Sequence, residues 1–238
     1  AASLDTAVQA LEDAATADGA NAAIQSDLAA AYLARGALPG RAIDLPRAVE
    51  AADRARRLNP RLSTAAFNYA LALERLQLRR EAARAWDAYL TDFGSDPGWD
   101  GEARRRREAL DVAPALVPPS PADRTEARLR EWADAAVSDP DGAFLPDLAA
   151  DGAFYAAIGA EVAASHGAGR RAFAEAVREL LAAQAALLAP NYGEASRLAA
   201  GVVDGRNVWT SDLARSLDLL ERIQEHVPRE RLMISASC

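Results

Sequence analysis

The chain has 238 residues, half of them apolar, which is enough to bury a sizeable core in one or two domains. Its formal net charge of −8 excludes a general nucleic-acid or anionic-membrane surface, because such binding needs clustered cations that neutralise phosphates. Cys238 is the only cysteine, so the sequence predicts neither a disulfide framework nor a metal site built on spaced cysteines, and we expect no metal and no cofactor. We expect a cytoplasmic location, since the chain shows neither a signal-peptide pattern nor an apolar run of about 18 residues.

A repeat organises the first part of the chain. The segment LPRAVEAADRARRLNP (45–60) aligns with RREAARAWDAYLTDFG (79–94), which lies 34 residues further on. That spacing is the period of the tetratricopeptide (TPR) repeat, a pair of helices packed through small residues. The chain resembles this family at Leu28, Ala29, Tyr32, Gly36, Ala48, Ala55 and Pro60 in one unit, and at Tyr69, Ala70, Leu73, Ala82, Trp86 and Tyr89 in the next. The resemblance implies a mainly α fold, a TPR-like α-solenoid of helical hairpins over about residues 21–110, interrupted by the extra segment ALPGRAI (37–43).

The second unit, QLRREAARAWDAYLTDFG (77–94), also resembles the helical repeats that precede the caspase-like CHAT peptidase domain in bacterial proteins. Such a peptidase needs a His and a Cys that face one another at the ends of buried strands. Only His166, His226 and Cys238 are available, and His166 follows a helix-like run without a strand core. We therefore expect no catalytic dyad in this chain.

Further helical segments follow the repeat. Residues 99–110 are predicted to form a helix that caps the second unit, and its arginines 104–107 point all round that helix instead of forming one phosphate-binding patch. The proline-rich stretch APALVPPSPA (113–122) is predicted to be an extended linker. After it, a helix over 123–137 places Leu129, Trp132 and Ala136 on one face, and further amphipathic helices are predicted over 144–148, 154–164 and 171–188. The predicted domains are 1–112 (helical repeats with a capping helix), 113–122 (linker), 123–200 (further helical hairpins) and 201–238 (a short βαβ-like segment).

In a TPR-like array the first helix of each pair lines a concave face that binds a peptide. Ser26, Ala30 and Leu33 are the predicted facing residues of the first unit. In the second unit the predicted peptide-binding residues are Thr64, Phe67, Asn68, Leu71, Glu74 and Arg75. Asn68 matches the asparagine with which some family members clamp a peptide carboxylate. Asp27 stands at the equivalent position of the first unit and would repel a carboxylate, so we expect a mixed apolar and polar groove without that clamp.

The last segment has a different character. GVVDGRNVW (201–209), SDLARSLDLLERI (211–223) and RLMISASC (231–238) predict a strand, a loop, a helix and a second strand. The amino-acid sequence of this segment is similar to that of the N-terminal barrel of cobalamin-independent methionine synthase. The resemblance implies that Asp204, Arg206 and Asn207 follow a barrel strand and point to the active-site end, whereas without it Asp204 and Arg206 would pair with each other or cap the helix. It also implies that the zinc ligands of that family lie in its other barrel, outside this chain.

Two functional hypotheses follow. The first is a non-catalytic helical scaffold that binds a protein or peptide partner. The alternative is a fragment of a larger enzyme, either a methionine synthase-like methyltransferase or a CHAT peptidase fusion, whose catalytic residues lie outside this chain. The tail is then the start of a second domain, a join to an unrelated sequence, or a segment that folds on the helices in another way. The oligomeric state is left open.

Overall fold

The structure is a computed structural model that describes residues 2–94, 98–139, 143–145, 154, 177, 179–180, 183–184 and 186–187. Seven α-helices lie within the described residues: α1 (Ala2–Ala17), α2 (Ala22–Gly36), α3 (Asp44–Leu58), α4 (Ser63–Arg75), α5 (Arg79–Phe93), α6 (Asp100–Asp111) and α7 (Glu126–Ser138). A short 3-10 helix covers Pro121–Asp123, and the described part of the chain contains no β-strand. The predicted mainly α class is therefore confirmed.

The chain divides into two compact units, Ala1–Ala113 and Pro114–Cys238. In the first unit, α2 packs on α3 and α4 packs on α5, as two helical hairpins. Small residues make this packing close, because Ala29, Ala48, Ala52 and Ala55 are completely buried. A solenoid of the tetratricopeptide type and the predicted domain boundaries stay predictions.

The two hairpins turn in different ways. Gly36 ends α2 at a close approach to α3, where a Cβ atom would lie 2.9 Å from Cδ2 of Leu45 and would require that side chain to shift. The α4–α5 turn instead uses Gln77, whose φ of 60° is left-handed. The Leu78 amide donates to Leu73 O at 3.1 Å and the Gln77 amide donates to Glu74 O at 2.9 Å. These two bonds form a Schellman motif, which satisfies carbonyls at the end of α4.

In the second unit, α7 buries the face that its sequence predicts, including Leu129, Trp132 and Ala136. The helix begins later than expected, because Thr125 is its N-cap and accepts a hydrogen bond from the Arg128 amide. The predicted start at Asp123 is wrong, since Pro121–Asp123 forms a separate 3-10 turn.

Residue 144 also differs from expectation. The Phe144 amide donates to Leu116 O at 2.9 Å, and Leu116 pairs with Ala143 in an isolated parallel bridge. The prediction that a helix begins at Phe144 is therefore wrong, because its backbone amide bonds to a residue far away in sequence. The indole of Trp132 also donates to Leu116 O at 3.4 Å. Leu116 is thus bonded to Trp132 and Phe144 of the second unit, and the linker over residues 113–122 stays a prediction.

Several predictions fall outside the described residues. They are the βαβ-like segment 201–238, most of the predicted helices 154–164 and 171–188, and the side chains of His166, His226 and Cys238. Val177, Leu180 and Ala183 are described, and they are buried helical residues. No helix in the described ranges is long and apolar enough to cross a membrane. The cytoplasmic location stays a prediction.

Candidate functional site

The polar residues predicted to bind a peptide join α2 to α4. Thr64 Oγ1 lies 3.1 Å from Ser26 Oγ. The Asn68 amide nitrogen donates to Ser26 O at 3.0 Å and lies 3.4 Å from Ser26 Oγ. Ser26 is buried and Thr64 is exposed, so this network runs from the interior to the surface. The structure brings these residues together, and the donor group of Asn68 is used within the protein.

The two apolar residues of the set belong to the core. Phe67 is only 8% exposed and packs against Trp86, Tyr89 and Trp99 with ring centroids 4.9, 5.6 and 5.1 Å away. Leu71 is half-buried against the same cluster. These contacts stabilise the α4–α5 hairpin, because aromatic pairs at such distances add to the burial of apolar area.

Glu74 and Arg75 end α4 in opposite environments. Glu74 accepts hydrogen bonds from the Trp86 indole at 2.9 Å and from the Arg106 guanidinium at 2.7 Å. Arg75 is exposed. Of the six predicted contact residues, Thr64 and Arg75 are therefore the two that present their side chains most openly.

A buried ion pair that the sequence does not predict joins α2 to α3. Arg35 donates two hydrogen bonds to the Asp44 carboxylate, at 2.6 and 2.9 Å, and the Asp44 side chain is 1% exposed. Arg35 also lies 3.3 Å from Asp5 on α1. The hydrogen bond to Asp44 raises the pKa of Arg35 above its usual value, so the guanidinium stays charged. These residues flank the ALPGRAI segment, and nothing in a single sequence indicates that they meet.

Tyr32 lies beside this ion pair. Its hydroxyl donates to Glu12 at 2.6 Å, and the guanidinium carbons of Arg35 and Arg47 lie 5.8 and 5.9 Å from its ring centroid. Burial, and then the hydrogen bond to Glu12, raise the pKa of Tyr32 well above its ordinary value. The hydroxyl is therefore held protonated, as a hydrogen-bond donor that ties α1 to α2. The group acts as a structural contact.

Each of the four consecutive arginines of α6 pairs with at least one carboxylate. The partners are Asp100 for Arg104, Glu102 for Arg105, Glu74 and Glu102 for Arg106, and Asp87 and Asp111 for Arg107. The hydrogen bond from Arg105, followed by the charge of Arg106, lowers the pKa of Glu102. The run is an ion-pair network and does not form one anion-binding patch. Within the described ranges, no group of three or more His, Cys, Asp or Glu residues could hold a metal ion.

Comparison with known proteins shows a sequence similarity in the C-terminal part of the chain. Residues 175–228 match the model of the family described as "Cobalamin-independent synthase, N-terminal domain". Asp204, Arg206 and Asn207 fall in this range, outside the residues that the structure describes.

Curated relatives give the same likeness. The 5-methyltetrahydropteroyltriglutamate–homocysteine methyltransferase 3 (chloroplastic) of Arabidopsis thaliana is 42% identical over 52 residues, which is 22% of this chain and 6% of the relative. The homologous enzymes of Halalkalibacterium halodurans and Oryza sativa subsp. japonica (enzyme 1) are 44% and 54% identical over 41 residues, which is 17% of this chain and 5% of each relative. No solved structure matches the chain significantly.

The chain thus spans about a twentieth of the length of these curated relatives. The similarity covers a short segment of a synthase N-terminal domain, and it supports the predicted resemblance of the tail to cobalamin-independent methionine synthase. The tetratricopeptide and CHAT resemblances of residues 21–110 stay predictions. The chain therefore contains a segment similar to the N-terminal domain of cobalamin-independent synthases.

Proposed function

We propose that residues 175–238 belong to a methyl-transfer protein of the cobalamin-independent synthase type, and that its catalytic residues lie outside this chain. The observation that carries the proposal is the family match over residues 175–228, together with relatives that are 42% to 54% identical over 41 to 52 residues. These relatives are named as methyltransferases that act on homocysteine and 5-methyltetrahydropteroyltriglutamate. A segment of this size cannot close a barrel by itself, so the remaining strands must come from elsewhere.

Within this proposal, Asp204, Arg206 and Asn207 form a loop at the carboxyl end of a barrel strand. Residues at that end of a barrel reach the substrate, whereas residues at the opposite end act mainly in stability. Carboxylate, guanidinium and amide groups in one loop can bind a polar substrate through charge-assisted hydrogen bonds. The loop is therefore the part of this chain that we expect to affect methyl transfer.

The test uses the gene product that includes this chain and whatever coding sequence follows it. Methyl transfer from 5-methyltetrahydropteroyltriglutamate to homocysteine is measured by the methionine formed. We expect activity, and we expect Asp204→Asn to lower kcat/KM about 100-fold, as loss of a positioned charged group does. Arg197→Gln, a charge change in the matched segment but outside the loop, serves as the control. A folded gene product without methyl transfer would contradict the proposal.

We also propose that residues 21–110 bind a protein or peptide partner and take no part in catalysis. It is supported by the paired helices α2–α3 and α4–α5 and by the exposed side chains of Thr64 and Arg75 on α4. Phe67→Ala is a poor probe of this surface, because truncating a buried phenylalanine costs about 3–5 kcal/mol of stability.

Arg75→Glu is the sharper variant, because the side chain is exposed and its substitution leaves the core intact. Arg84→Glu, at an arginine of α5 that is also exposed, is its matched control. A partner that binds the α4 surface should be lost from affinity purification with Arg75→Glu and retained with Arg84→Glu. Identical sets of partners for both variants and the unmodified chain would count against binding at this surface.

A further inference from the structure

We draw no further inference here: the strongest candidate, the surface patch at the start of α6 where Trp99 is 52% exposed beside Phe67 of α4, carries nothing because no group in the described part of the chain shows what covers it.

Discussion

Gln77 occupies a backbone conformation that ordinarily favours glycine. Its φ of 60° lies at the residue after the cap of α4, the position where a Schellman motif most often has Gly. A side chain in this left-handed region costs about 1 kcal/mol, which Gly avoids. We predict that Gln77→Gly raises the free energy of unfolding by about 0.5–1 kcal/mol, measured by urea denaturation.

Arg75→Gly is the comparison for this prediction, because Arg75 is exposed but has a helical position in the last turn of α4. Glycine should destabilise there by about 1 kcal/mol. A loss of stability in both variants would show that the turn does not hold Gln77 in the left-handed region.

Asp44 carries a charge that is almost fully withdrawn from solvent. Its side chain is 1% exposed and is paired with Arg35. Removing one partner of a buried pair leaves the other charge uncompensated, so Asp44→Asn should lower the free energy of unfolding by about 3–5 kcal/mol. Asp53→Asn, which breaks the solvent-exposed pair with Arg57, should cost at most about 1 kcal/mol. Similar costs for the two variants in denaturation experiments would refute the buried role of Asp44.

Tyr32 makes the free energy of unfolding depend on pH in the alkaline range. Its folded-state pKa is raised by burial and by Glu12, whereas in the unfolded chain a tyrosine ionises near its ordinary pKa of about 10. The stability contributed by the protonated hydroxyl is present below pH 10 and is lost as the pH rises from there toward the folded pKa, because only the unfolded state releases the proton.

We predict that Tyr32→Phe lowers stability at pH 8, through loss of the hydrogen bond to Glu12, and reduces the further fall above pH 10. Denaturation curves at pH 8, 10 and 11 for the unmodified chain and for Tyr32→Phe give the free energy of unfolding of each protein as a function of pH, and hence one slope for each protein. Parallel slopes above pH 10 would mean that Tyr32 ionises normally in the folded chain.

Helix α7 begins at the cap Thr125, two residues after the start predicted at Asp123. Thr125 accepts a hydrogen bond from the Arg128 amide, whereas Asp123 lies in the preceding 3-10 turn. Removing a threonine cap typically costs about 1 kcal/mol. We predict that Thr125→Ala accelerates hydrogen exchange in the first turn of α7 about fivefold. Asp123→Ala should have a smaller effect on the same amides, and the reverse order would move the helix start back to Asp123.

Sequence periodicity predicts some helices well and others poorly. Helices α2 to α5 lie where the repeat alignment predicts helices, and α6 lies where the capping helix over residues 99–110 is predicted. Closely spaced alanines leave a helical pattern that a single sequence reveals. The alignment gives no expectation for α1, in which Val8 is the buried apolar residue that the structure describes. The prediction of a helix at Phe144 is wrong because a short apolar run fits a helix or an extended segment equally well.

The contacts of the predicted binding residues could not be read from periodicity. Phe67 and Leu71 fall on the predicted first-helix face, but packing of α5 and α6 places them in or against the core. Glu74 meets Arg106, and Arg35 meets Asp44, through tertiary packing that brings distant charges together. Composition predicts that charged residues will pair, but only the fold selects the partners.

At the level of the whole chain, the first compact unit should be independent. Residues Ala1–Ala113 form a unit with its own buried core, which is large enough for cooperative folding. We predict that a fragment of residues 1–113 is monodisperse, helical by circular dichroism and unfolds in a single transition.

A fragment of residues 1–75 is the control, because it lacks Trp86 and Tyr89 and exposes the remaining half of their cluster. It should be largely unfolded or aggregated. A longer fragment that behaves like the shorter one would show that the first unit needs residues beyond 113.

Along the chain, a helical unit precedes a segment similar to the N-terminal domain of cobalamin-independent synthases. The most direct measurement is the nucleotide sequence that follows codon 238 in the gene from which the chain comes. We predict an open frame that continues the synthase N-terminal domain and later encodes His, Cys and Glu zinc ligands. A frame encoding strands with His-Gly and Ser-Ala-Cys motifs would favour the peptidase alternative. A stop codon, or sequence unrelated to the synthase, would contradict the methyl-transfer proposal.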